Sequence, residues 1–241
     1  MINLTTEISP KRYARVGGVA YLIIIIAGLL GQMFIRNPIV VSGNATATAA
    51  HITASQQLWR IGIAGDLLMH ICDVVLMVVL YVLLRPVNRN LALMAVLFNL
   101  VQTAVLVANK MNLLLPLFLL SGDDYLKAFN SDQLRAISYL FVKAHSYGFG
   151  IGLIFFGCEC LIVGYLIYRS GYFPKLIGIL MEIAGLSYLG NTAILILAPQ
   201  YAGMAFPILL ALAFPAELSL CLWLLIKGVD LEKWKLKTKP V

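Results

Sequence analysis

Charge is scarce in this 241-residue sequence. Asp, Glu, Lys and Arg together make up 12% of it, against 61% apolar residues, where soluble domains run about 25% charged and about 45–50% apolar. That shortage excludes a soluble enzyme, whose surface would need far more charge, and it excludes a disordered chain. Cysteine is scarce too: Cys72, Cys158, Cys160 and Cys221 all lie inside apolar stretches, so no disulfide framework can be read. Histidine is limited to His51, His70 and His145, without HxxxH or HExxH spacing, and a metal hydrolase needs several converging ligands. Cys158-Glu159-Cys160 lacks the spacing of a redox pair, and there is no Walker loop or dinucleotide fingerprint. Neither a metal nor a cofactor is expected. The net charge of +7 does not signal nucleic-acid binding, because Lys and Arg cluster at the ends of apolar runs, as membrane topology requires.

What the sequence has in abundance is long apolar runs. Six are long enough to cross a bilayer as helices: roughly 16–35, 61–84, 91–120, 148–169, 175–197 and 204–226. Barrel strands would be about ten residues with polar alternation, and these runs are too long and too evenly apolar. The first lacks the small-x-small site of a cleaved signal and reads as a retained span. The expected fold is all-α, a polytopic membrane helix bundle forming a single integral membrane domain over 1–241. Pro116 predicts a kink or exit in the third span, and Pro207 and Pro215 a bend in the sixth.

The connections differ in charge. The segments 85–90 and 169–175 are short and basic, while 36–60 and 121–147 are longer and mixed. Twelve Lys/Arg, counting both termini, fall on the first side and five on the second, with Lys110 left inside a span. This bias places both termini in the cytoplasm. Residues 44–55, rich in Ala and Thr, predict a short helix on the outer surface. A cap at Ser131 followed by Leu134, Ile137, Phe141 and Ala144 at helical spacing predicts a short amphipathic helix before the fourth span. Gly148, Gly150 and Gly152 then serve either a turn into that span or close packing on a neighbour.

Function is to be sought among the polar residues inside the runs. Asp66, His70 and Asp73 are spaced along one stripe of the second span, and Asn99, Gln102, Asn109 and Lys110 share an arc of the third. At about 1.5 Å per residue, Asp66 and Lys110 reach similar depth, with Asn191 near that level. Asp73, Gln102, Glu159 and Glu217 form a second layer, with Glu182 slightly nearer the cytoplasm. A central charge costs about 2.5–3.5 kcal/mol even on the lower scales, so such residues face the interior of a bundle or a wet cavity. For Asp66 and Lys110 the plain reading is an ion pair that fixes helix packing, and the sharper one a solute or proton pathway. The middle carboxyls are open to hydrogen bonding with Gln102, to proton binding or to cation coordination.

Several stretches resemble a known family. They are Asp66-Leu67-Leu68 with Cys72-Asp73-Val74, Tyr81 to Leu93, Ala144 to Gly148, Gly152 to Gly157 and Gly164 to Tyr172. They are similar to a bacterial polytopic membrane family catalogued only as a domain of unknown function, across nearly the whole chain. The resemblance implies a bacterial cytoplasmic membrane and about six helices, and it supplies no activity. The leading expectation is a small transporter or permease-like protein for a proton or small solute, with membrane lipids as its partners. Two alternatives stand beside it: a membrane-embedded enzyme acting on a lipid or other apolar substrate, and a structural or regulatory subunit. The sequence leans away from an enzyme. It is compatible with a homo-oligomer without specifying one.

Overall fold

The computed structural model describes residues 9–238. Residues 1–8 and 239–241, the outermost parts of the two ends expected in the cytoplasm, lie outside the described residues. Within them the chain is helical, without a strand, and six helices are long and apolar enough to cross a membrane. The spanning helices are α1 (Pro10–Ile39), α3 (Gln56–Leu84), α4 (Arg89–Leu119), α5 (Ser131–Ser170), α6 (Lys175–Leu197) and α7 (Ala202–Ile226). Two shorter α-helices, α2 (Ala45–Ala54) and α8 (Leu231–Thr238), and two 3-10 segments, Asp124–Ala128 and Pro199–Tyr201, complete the order among the described residues.

Contacts gather these elements into two compact units. The first comprises the chain up to Ile23, Cys72–Gln102 and the chain from Leu153 onward; the second comprises Ile24–Ile71 and Thr103–Gly152. Helices α1, α3, α4 and α5 each contribute residues to both.

In the second unit, α2 is capped by Asn44, whose Oδ1 accepts from the Ala47 amide at 2.9 Å. Thr48, Ala49 and Ile52 of α2 are buried, so this helix packs one face into the unit as well as bordering its surface. Ile52 joins Ile35, Ile39, Trp59, Ile63, Leu113, Leu117 and Val142 in an apolar core. Inside that core the Trp59 indole Nε1 donates to the Leu113 carbonyl at 2.8 Å. A buried hydrogen bond of this kind is worth about 1 kcal/mol net. Trp59→Phe keeps most of the apolar volume, so thermal unfolding of the purified protein should show a loss of about that size. No loss would mean the indole packs without depending on this bond.

Helix α5 differs from the sequence reading. The amphipathic segment and the fourth span form one continuous helix of 40 residues. Its cap is Asn130 rather than Ser131: the Gln133 amide donates to Asn130 Oδ1, and the Asn130 amide donates to Gln133 Oε1, both at 2.9 Å. This reciprocal box satisfies two amides at once. Gly148 and Gly152 serve packing, since a Cβ at either would collide with Asn109 or Leu106 of α4.

In the first unit, α5 and α6 approach at two points. A Cβ on Gly157 would meet the Gly185 carbonyl oxygen at 2.9 Å, and one on Gly164 would meet that of Gly178 at 2.7 Å. The glycines are seven residues apart on each helix and pair in antiparallel order, which lets the two backbones touch. The turn between these helices is tied down by Tyr172, whose hydroxyl donates to the Leu83 carbonyl at 2.7 Å. Burial pushes this phenol up, which keeps its proton available for the bond. Helix α7 runs through Pro207 and Pro215.

Candidate functional site

Two polar clusters form, one in each unit. In the second unit, α1 changes character near its end. Leu30–Arg36 is π-helical before a last α turn, Asn37–Ile39. Such turns are rare and widen the helix. Here the widened turn carries Arg36, whose Nη1 donates to Asp66 Oδ2 on α3 at 2.7 Å. Gln32 Oε1 accepts from Arg36 Nε at 2.9 Å and holds the guanidinium from behind. Gly31 makes the approach feasible: a Cβ there would stand 3.1 Å from both Arg36 Nη2 and Asp66 Oδ1.

The same Asp66 oxygen accepts from Lys110 Nζ at 2.9 Å. Lys110 sits where α4 tightens, its amide bonding three residues back to the Val107 carbonyl at 3.1 Å. Lys110 is thus an irregularity within this span, while Pro116 stands in its last turn, three residues before the helix ends at Leu119. Next to Lys110, Asn109 Nδ2 donates to the His145 carbonyl of α5 at 2.9 Å. The His145 side chain is in electrostatic reach of Lys110, Arg36 and Asp66. Two buried polar atoms of this cluster have no hydrogen-bond partner among the described residues, Asp66 Oδ1 and His145 Nε2.

In the first unit the theme is carboxyl groups with neutral donors. Asn99 Nδ2 of α4 donates to Glu159 Oε2 of α5 at 2.6 Å, both residues being buried. The Tyr188 hydroxyl of α6 donates to Glu217 Oε1 of α7, and the Tyr21 hydroxyl of α1 is in electrostatic reach of the same carboxyl. The Tyr188 ring rests on Phe156, centroids 5.0 Å apart. Asp73 is in electrostatic reach of Glu159 and Glu217. Among the described residues no cation pairs with either glutamate. A small crevice lined by Met77, Leu80, Ala95, Val163 and Leu166 reaches Glu159.

The residues singled out in sequence thus divide. Asp66, His70 and Lys110 belong to the second unit, and Asp73, Gln102, Glu159, Glu182, Asn191 and Glu217 to the first. The pair expected between Asp66 and Lys110 forms, with Arg36 added. The sequence places Arg36 at the start of the outer loop; in the structure it ends the π-helical turn of α1 and meets Asp66. Glu159 takes an amide donor from Asn99, which lies on the same arc of α4 as Gln102. His70, Asp73, Gln102 and Asn191 are buried. Glu182 is half-buried, its backbone and Cγ covering Gly164, and neither it nor Asn191 is drawn into a cluster by a described hydrogen bond. Tyr21 and Tyr188 went unread. Their signal was a phenol inside an apolar span, which needs an acceptor when buried.

The chain matches the family described as "Domain of unknown function (DUF4386)" over residues 16–228. A relative from Archaeoglobus fulgidus, named "Uncharacterized protein", is 31% identical over 171 residues, covering 71% of this chain and 86% of the relative. No solved structure matches.

Proposed function

We infer that this chain, which belongs to the DUF4386 family, is a small transporter that couples a solute to protons through its intramembrane polar clusters. The observation that carries the reading is the pair Glu159 and Glu217, held by Asn99 and Tyr188 with no cation pairing with either among the described residues. An intramembrane ionisable group is costly and is by default a functional one. Amide and phenol donors can hold such a carboxyl in place whether or not it carries a proton, so protonation can change without dismantling the site. The orientation follows from charge: the basic turns at 85–90 and 169–175 and both chain ends face the cytoplasm, and the membrane is the bacterial inner membrane. Lipids surround the exposed apolar faces.

The test is reconstitution. Purified protein in liposomes with a pH-sensitive dye inside should dissipate an imposed proton gradient when a transported solute is added outside. Glu217→Gln keeps the shape of the acceptor and removes its titration, so it should cut that flux by at least about tenfold while leaving the protein folded, a factor corresponding to about 1.4 kcal/mol. Wild-type liposomes that move neither protons nor any solute across a broad panel would remove the reading. So would a Glu217→Gln variant with undiminished flux.

A further inference from the structure

In the second unit, two cations converge on one carboxylate oxygen. Arg36 and Lys110 both donate to Asp66 Oδ2, at 2.7 and 2.9 Å. The Asp66 and Lys110 side chains are 1% and 5% exposed, whereas that of Arg36 is 14% exposed. Arg36 is therefore the member that reaches the rim. Its Nε is spent on Gln32 and its Nη1 on Asp66, and Nη2 donates to nothing among the described residues. On α5 of the same unit, His145 is more than nine-tenths buried and its Nε2 has no hydrogen-bond partner among the described residues. The Asn109 bond holds the backbone of His145 beside the residue preceding Lys110.

We propose that this cradle is a binding site for a small carboxylate anion, which competes with Asp66 for Arg36 and Lys110. Asp66 is the template for the ligand. A guanidinium fork and an ammonium are suited to a planar carboxylate, and the geometry already holds one. An incoming carboxylate takes the second face of the Arg36 fork first, through Nη2, and then displaces Asp66 Oδ2 from Lys110. The displaced Asp66 and the ligand's second oxygen meet His145, whose ring nitrogen donates or accepts according to tautomer. Binding by exchange needs no preformed cavity, because the resident carboxyl group fills the ligand's place until it arrives. The inference deepens the transport reading by naming a solute class for it.

The experiment is calorimetric titration of the full chain in detergent or nanodiscs with sodium acetate, with acetamide as the neutral isostere. Saturable heat with acetate and none with acetamide is expected. Arg36→Gln should weaken acetate binding by at least about tenfold, and Asp66→Asn, which removes the competitor, should strengthen it by at least about tenfold. If Asp66→Asn does not fold, the wild-type and Arg36→Gln titrations decide. Wild-type protein without saturable acetate binding overturns the site, as does equal affinity in wild type and Arg36→Gln. Acetate binding with no flux in liposomes supports this site and removes the transport reading. Solute flux without acetate binding does the reverse.

Discussion

Asp66→Ala is expected to cost about 3–5 kcal/mol of stability, enough to leave little folded protein. The size follows from what remains. Arg36 and Lys110 share one carboxylate oxygen, so the substitution strips the counter-charge from two cations at once, and Lys110 has almost no access to water. Removing one partner of a buried pair leaves the other uncompensated, which costs more than the pair contributed. The triple variant Arg36→Met, Asp66→Leu, Lys110→Met removes the whole cluster and should recover most of the loss, because well-packed apolar replacements of buried ion sets are often neutral or stabilising. Denaturant or thermal unfolding in detergent measures both. A single-variant loss below about 1 kcal/mol, the range of exposed pairs, would show that water reaches this cluster freely.

The second large effect is expected at the glycine seam between α5 and α6. Gly164→Ala places a methyl group 2.7 Å from the Gly178 carbonyl oxygen and 2.9 Å from the Glu182 amide nitrogen. Both are backbone atoms, so no rotamer change relieves the overlap and the helices must separate. Overpacking of this kind costs about 1–3 kcal/mol, and separation also loosens the matching contact of Gly157 with Gly185. Gly164→Ala with Gly185→Ala should therefore cost less than the sum of the two singles, since one separation accommodates both. Contacting sites are where additivity fails. Gly65→Ala is the control, with open space around its Cβ position; it should be nearly neutral. Strict additivity at the seam would mean that the two contacts yield independently.

The six spans were legible because each is a run of twenty or so apolar residues, and the hydrocarbon thickness leaves little choice about what such a run does. The meeting of Asp66 with Lys110 was legible from depth alone, since both helices rise at nearly the same rate per residue. Arg36 was not, because counting residues assumes α geometry and the turn before it is π-helical. The break at Lys110 was hidden for a similar reason: Pro116 carries the conspicuous signal, while the tightening between Val107 and Lys110 has none. Asn99 and Gln102 lie on one arc of α4, and periodicity cannot decide between two amides three residues apart. The glycine seam was written in the spacing of residues 157 and 164 against 178 and 185. It becomes visible only once α5 and α6 are known to be antiparallel neighbours.

The π-helical turn in α1 carries a consequence for chain length. A π turn holds about one residue more than the α turn it replaces, so everything beyond it is rotated by about 100° relative to an uninterrupted helix. Members of the family of equal length but with a plain α-helix between Leu29 and Asn37 would have the residue equivalent to Arg36 turned away from the aspartate. In members one residue shorter, the missing residue and the missing π turn cancel and the arginine keeps its place. A gap of one residue in this stretch is therefore expected to be tolerated, because it removes the widened turn without moving the residues on either side of it. Chains with and without the gap are then alike in bringing two cations onto that carboxylate.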